Sequence, residues 1–230
     1  MIPRRFEKIK KVLAKRQPDL TVILDNVHKP HNLAAIIRSC DAVGIGNIHG
    51  ISSNKEKINV NLKSASGSNN WIKLSIYKSI KLSISKLKKT NTKIFAANKS
   101  QKSIDFRDAN FKEPCAIILG AELDGVSKEA INFTHQELKI PMCGMVENLN
   151  VSVACAIILY EVQRQREIAG FYKEIRLGKN DYEKLLFEFS YPEVAKICNE
   201  KNQQYPDLDS TGQIIKSINY MNIKFCSSKT

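Results

Sequence analysis

The sequence predicts an α/β domain organised on a largely parallel sheet. From Thr21 onward, short β-rich apolar runs alternate with stretches of helical periodicity, and strands separated by helices need crossover connections that leave the strands parallel. In a chain of 230 residues, 43% hydrophobic content supplies a real core without disulfide support.

The elements follow in chain order. "RRFEKIKKVLAKRQPD" sets Phe6, Ile9 and Leu13 on one helical face and Arg4, Lys8, Lys11 and Lys15 on another before Pro18 breaks the pattern. This basic amphipathic helix either lies on a phosphate backbone or docks on the core with a solvated outer face. "TVILDN" reads as the first strand, followed by a helix from about Leu33 to Val43 that stops at Gly44. "NIHGIS" and "WIKLSIY" read as strands, with the polar, turn-rich "NVNLKSASGSNNW" leading from one to the other as a loop. Ser79 is placed to cap a lysine-rich helix whose apolar face is Ile80, Ile84 and Leu87. "KIFAAN", "CAIILG" and "ELKIPM" are three further strands. From Val151 to Tyr160 nearly every residue is apolar, so a helix there must be covered on all sides; a second copy of the chain is the favoured cover, and a central position in a monomer the alternative. After Arg166 the composition turns polar with aromatic anchors, which divides the chain into a basic N-terminal helix (1–19), an α/β domain (20–166) and a C-terminal extension (167–230).

Thirty-six Lys and Arg against 23 Asp and Glu leave a formal charge of +13, which points to a polyanionic partner, nucleic acid ahead of a merely solvated lysine-rich surface. The six cysteines contain no C-x-x-C pair, and Cys115 and Cys155 sit in apolar runs, so they read as reduced thiols of a cytoplasmic protein. The N-terminus has no secretory h-region, and the longest apolar stretch is far too short to span a membrane.

Three stretches carry chemistry. In "VENLNVSVACAIILYEVQRQR", Glu147, Asn148 and Asn150 stand at the mouth of the apolar helix, whose first N–H groups lack intrahelical partners. Asparagine supplies both a capping oxygen and spare amide hydrogens, so the terminus can double as a polar pocket. In "AIILGAELDGVS", a strand ends at Gly120 and a turn carrying Glu122 and Asp124 follows, where open parallel sheets bind ligands. The G-x-x-x-x-G spacing is not a phosphate loop, because Val126 occupies the Lys position, although Ser127 suits the Ser/Thr one; the acidic turn suits a cationic or amide-rich ligand. In "NVHKPHNLAAIIRSCDAVG", Asn32 and Arg38 follow the first strand, and an arginine among Ile36, Ile37 and Cys40 belongs at a cleft edge facing phosphate or carboxylate. His28 and His31, with Pro30 between them and no nearby Cys, make a poor metal site, and no metal is expected.

Taken in this order, "KPHNLAAIIRSCDAVG", "ILGAELDGVS" and "IPMCGMVENLNVSVACAIILYEVQRQREIAGFY" resemble the three motifs of the TrmH family of SPOUT RNA ribose 2′-O-methyltransferases, and the similarity runs through nearly the whole chain. The resemblance implies an α/β domain with a deep C-terminal trefoil knot near 115–166, a homodimer packed through the knot, and methyl transfer from S-adenosylmethionine to a ribose 2′-OH, leaving S-adenosylhomocysteine. Its implied cofactor pocket is Ala97, Gly120, Ala121, Glu122, Leu123, Asp124, Ile140, Met142, Met145, Leu149 and Asn150. Its implied catalytic set is Arg38, Asn32, Glu122, Asn150 and Asn148, with Arg38 stabilising a developing alkoxide. Arg4, Arg5, Lys8, Lys11, Lys15 and Arg38 would meet RNA, with no DNA or membrane partner. The implied substrate is a guanosine of the tRNA D-loop; ribosomal RNA, or a non-catalytic RNA-binding role, is the alternative. Ribosomal members often carry a separate N-terminal RNA-binding domain, for which the residues before "TVILD" leave no room. One departure stands out: the third motif usually reads Ser-Leu-Asn, and here it is Asn148-Leu149-Asn150, preceded by Glu147 where Gln is common.

Overall fold

The computed structural model describes residues 1–52, 71–87, 91–122 and 124–215. Leu123 and nearly all of "NVNLKSASGSNNW" lie outside the described residues. Within Ala14–Arg176, one compact unit, seven strands form a single sheet: β1 (Leu20–Asp25), β2 (Asn47–Ile51), β3 (Lys73–Tyr77), β4 (Lys93–Ala97), β5 (Ile104–Asp105), β6 (Cys115–Gly120) and β7 (Gln136–Lys139). Their order is β3-β2-β1-β6-β4-β7-β5 and every pairing is parallel, in agreement with the alternating pattern of the sequence.

Alternation along the strands sorts the core onto two faces. Leu20, Val22 and Leu24 of β1 and Cys115, Ile117 and Leu119 of β6 pack on one side with Leu33, Ile36, Ile37 and Cys40 of α2 (Pro30–Ala42). Cys155, Ile158, Leu159 and Val162 of a long helix, Val151–Ile168, complete that layer. Ile23, Ala116 and Ile118 face the other way, onto Ile80 and Ile84 of α3 (Ile80–Leu87) and Ala130 of α4 (Lys128–Ile131). Burying both faces explains why β6 is apolar throughout and β1 is apolar except at Thr21 and Asp25.

The helix α2 begins at Pro30, three residues before the expected start. Proline at the first helical position has no N–H to leave orphaned and its φ already suits a helix, so "KPH" opens the helix instead of preceding it. The helix stops where expected: Gly44 takes φ +84°, and a Cβ there would lie 2.5 Å from the Lys15 carbonyl oxygen.

The long helix, α5 (Val151–Ile168), is not covered on all sides by its own chain. Within one chain its buried residues, Val151, Cys155, Ile158, Leu159, Val162 and Arg166, form one stripe, while Val153 and Tyr160 stay exposed. Arg166 is fully buried, a feature the polar tail of the motif does not announce. Its guanidinium donates to the carbonyls of Phe111 and Glu113, to Gln17 Oε1 and, at 2.7 Å, to Asp19 Oδ1. Arg176 also pairs with Asp19 and lies over the Phe171 ring at 4.1 Å.

The second compact unit combines Met1–Leu13 with the chain from Leu177 onward. The first helix, α1 (Pro3–Ala14), buries Phe6, Ile9 and Leu13 as its spacing predicts and exposes Arg4, Arg5, Lys8 and Lys11. The C-terminal segment contributes α6 (Lys179–Ser190) and α7 (Pro192–Glu200), and Phe187 of α6 stacks on Tyr205, beyond α7, with ring centroids 4.8 Å apart. Among the described residues no helix is long and apolar enough to cross a membrane.

Candidate active site

The carboxyl ends of β4, β6 and β7 open into a cavity of about 450 Å³, where ligand sites form in parallel sheets. Small residues make the room: Ala97 ends β4, Gly120 ends β6, and Ala121 and Ala154 add little bulk. Leu119, Leu138, Ile140, Leu149 and Ile158 give an apolar lining, while Lys99, Lys139, Glu122, Asp124 and Glu147 contribute charge.

The turn after β6 is fixed by its own backbone. Ala121 and Gly125 exchange reciprocal hydrogen bonds of 3.0 and 2.9 Å, which brings Gly125 so close to Gly120 that a Cβ on Gly120 would sit 2.1 Å from the Gly125 carbonyl. Position 120 therefore accepts glycine only. The far end of the turn is tied down where Ser127 N–H donates to buried Asp25 at 2.8 Å.

Glu122, at the tip, gathers the three motif stretches. Its Oε1 accepts from Asn32 Nδ2 at 2.7 Å and from Asn150 Nδ2 at 2.9 Å, while Lys29 pairs with Oε2. Asn150 Nδ2 also lies 3.2 Å from Asn32 Oδ1. The hydrogen bonds from Lys29 and then Asn32 outweigh desolvation and hold the Glu122 carboxyl below its usual range. The oxygen of Asn150 is used separately: Oδ1 caps α5 by accepting from Ser152 N–H at 2.8 Å. One asparagine thus closes the helix with its oxygen and joins a polar network with its nitrogen.

Of the residues expected in the cofactor pocket, Ala97, Gly120, Ala121, Glu122, Asp124, Ile140, Met142 and Leu149 line the cavity. Asn150 meets it through Glu122, Leu123 lies outside the described residues, and Met145 is 99% exposed and outside the lining. Asn148 is exposed on the rim, and its side chain makes no hydrogen bond among the described residues. Arg38 is exposed on α2, outside the lining and without a hydrogen bond or ion pair among the described residues. Six residues separate it from Asn32, about 9 Å along a helix, so it stands apart from the Glu122 cluster.

Lys29, Asn98, Lys99 and Val151 join the site from outside the expected set. Asn98 donates to buried Glu137 at 2.5 Å and Lys99 pairs with Glu147 at 3.2 Å. Both directly follow Ala97 beyond a strand end, which is the signal that could have found them. Lys29 belongs to the first motif stretch, where the neighbouring histidines draw attention away from it.

The model of the SpoU rRNA Methylase family matches residues 19–160, and that of the SpoU rRNA methylase C-terminal region matches 164–217. The chain is 41% identical over 216 residues to the tRNA (guanosine(18)-2'-O)-methyltransferase of Escherichia coli, covering 93% of this chain and 94% of that protein. It is 43% identical over 185 residues to the protein of the same name from Thermus thermophilus, covering 80% and 95%. Among solved structures, the Aquifex aeolicus TrmH/SpoU tRNA modifying enzyme matches with a TM-score of 0.77 at 37% identity, covering 83% of this chain and 97% of that one.

Proposed function

Since the chain belongs to the SpoU rRNA methylase family, we propose that it is a tRNA (guanosine(18)-2'-O)-methyltransferase, moving a methyl group from S-adenosylmethionine to a ribose 2′-oxygen. The observation that carries this reading is the convergence of Asn32, Glu122 and Asn150, drawn from three distant stretches, at the edge of one cavity.

The cavity fits the cofactor on its own chemistry. Its volume and apolar lining suit an adenine ring and a thioether, and its acidic turn suits a sulfonium. Between Pro141 and Leu149 the backbone makes no hydrogen bond among the described residues, so N–H and C=O groups of Met142, Asn148 and Leu149 are free to read the edge of a purine. When bound, S-adenosylmethionine supplies an electrophilic methyl group.

The protein's own residues then have the following tasks. The Gly120–Gly125 turn and Leu149 shape the pocket, while Asn32 and Asn150 hold Glu122 in one orientation. Arg38 stabilises the 2′-alkoxide as it develops; the proton passes to solvent or an RNA phosphate, because guanidinium has no acceptor. Arg4, Arg5, Lys8, Lys11 and Lys15 meet the phosphate backbone from their exposed positions.

We also infer a homodimer. Val153, Tyr160 and Ile168 recur at helical spacing along α5 and are 45%, 56% and 75% exposed, and an apolar band of this kind marks an interaction surface. Sedimentation of Tyr160→Glu would give monomers where the parent chain gives dimers; an unchanged dimer would move the interface elsewhere.

Incubation with methyl-labelled cofactor and tRNA transcripts, followed by nucleoside mapping, tests the main reading. It expects 2′-O-methylguanosine at one D-loop position. A folded protein that labels only ribosomal RNA, or no RNA, would reject it.

A further inference from the structure

We propose that Lys99 and Glu147 form the subsite for the amino-acid end of the cofactor, with the Lys99 ammonium taking the α-carboxylate and the Glu147 carboxylate taking the α-ammonium. The proposal rests on reading the cavity as a S-adenosylmethionine site, and it adds which residues recognise the end of that molecule farthest from the base.

Three observations lead there. First, both side chains line the cavity, Lys99 from the loop after β4 and Glu147 from the loop before α5, so they approach from different segments. Their charged atoms stand 3.2 Å apart, and the side chains keep 61% and 78% exposure. They are therefore on the rim, whereas Leu119, Leu138 and Ile158 are buried at the base. Second, one of the two acids of the turn is already engaged: Glu122 accepts from Lys29, Asn32 and Asn150. Lys99 and Glu147, by contrast, pair with each other alone among the described residues. Third, an exposed ion pair of this kind contributes almost nothing to stability, so opening it is cheap.

The chemistry of the ligand matches this pair. An α-amino acid carries its ammonium and carboxylate on one carbon, so the two charges lie about as far apart as those of Lys99 and Glu147. Inserted between them, the zwitterion exchanges one ion pair for two, and the new pairs form at the edge of an apolar surface where screening is weaker than in bulk water. An adenine nucleotide would bring phosphates, which gain from Lys99 and are repelled by Glu147; the pair of opposite charges discriminates in favour of an amino-acid tail. Two arms, one from each loop, also make the tail a bridge that draws the rim together.

Calorimetry with two product-like ligands tests this without turnover. S-adenosylhomocysteine carries the amino-acid end and 5′-methylthioadenosine lacks it. Lys99→Met and Glu147→Gln should each weaken S-adenosylhomocysteine about tenfold, the scale of one charged hydrogen bond, while leaving methylthioadenosine affinity unchanged. The double reversal Lys99→Glu with Glu147→Lys restores an ion pair between the loops but exchanges the charges, and should stay weak for S-adenosylhomocysteine. Recovery of full affinity by that double variant, or an equal fall for both ligands in the single variants, would make the pair a loop staple and overturn the proposal. Unchanged affinities would overturn it as well. Binding of neither ligand by the parent chain would instead bring down the cofactor reading itself.

Discussion

Asn150 Nδ2 lies 2.9 Å from Glu122 Oε1 while the oxygen of the same amide caps α5, so a single side chain couples the helix terminus to the acidic turn. The two tasks separate by substitution. Asn150→Asp keeps the cap oxygen but sets a second carboxylate against Glu122, whereas Asn150→Ala removes both functions. Alanine should lower stability by about 1 kcal/mol. Aspartate should unfold closer to the parent midpoint yet lose methyl transfer at least as severely. Thermal unfolding alongside single-turnover assays would decide; full activity in the aspartate variant would mean that the amide donor is dispensable.

The pH dependence of stability at the site follows from Glu122. Its folded-state pKa is depressed below the usual 4.5 by the hydrogen bonds of Lys29 and Asn32. A depressed carboxylate contributes fully above its unfolded pKa, and the contribution disappears only as pH falls through the folded value. The difference in unfolding midpoint between the parent and Glu122→Gln should therefore stay level from neutrality down through 4.5 and shrink below it. A decline centred above 4.5 would show that Glu122 is not held as described.

The sheet is legible in the sequence because its strands are apolar runs with turn residues between them, and the cap at Asn150 because an amide at the start of an apolar helix has an obvious use. The start of α2 is not, since "KPH" reads equally as a turn until Pro30 is seen at the first helical position. Side-chain pairings such as Lys29 with Glu122, 93 residues apart, depend on where parallel strands bring their ends, and no local spacing encodes that. Arg166 is hidden for a related reason. It sits in the polar stretch "EVQRQR", and its acceptors come from Gln17, Asp19, Phe111 and Glu113, all remote in sequence.

That burial gives a stability prediction. Arg166 is 0% exposed, and replacing it with Met would strand the Phe111 and Glu113 carbonyls without their donor. The loss should approach about 3 kcal/mol, the lower end for breaking a buried pair, because Arg176 still neutralises Asp19. Lysine should rescue little, since one ammonium cannot reproduce the planar fork. Burial raises the Asp19 pKa, but hydrogen bonds from Arg176 and the charge of Arg166 prevail and lower it. The network's contribution is thus present above the unfolded aspartate range and lost as pH falls through the lowered value. Urea unfolding near neutral pH measures the cost; a change below about 0.5 kcal/mol, the scale of ordinary surface substitutions, would contradict it.

Charge on α1 has a separate signature. Arg4, Arg5, Lys8 and Lys11 are exposed while Phe6, Ile9 and Leu13 are buried, so neutralising the four cations leaves the packing face intact. Every RNA phosphate deprived of its cation should reduce the slope of log affinity against log salt by about 0.7 to 0.9. Filter binding of tRNA between low and moderate salt would reveal it, and an unchanged slope would return the helix to a purely structural role.

Arg38 offers the sharpest division between chemistry and binding. It lies outside the cavity lining and has no ion pair or hydrogen bond among the described residues, so its removal disturbs neither the pocket nor the packing of α2. A guanidinium cannot act as a base at neutral pH, which leaves electrostatic stabilisation of a developing alkoxide as its contribution. Losing one such donor typically costs about 100- to 1,000-fold in turnover. Arg38→Ala should therefore lower the methylation rate on that scale while S-adenosylhomocysteine affinity stays within about twofold. Arg38→Lys, which keeps the charge but not the fork, should recover part of the rate. If cofactor affinity falls together with turnover, Arg38 belongs to the pocket; if neither changes, another group stabilises the alkoxide.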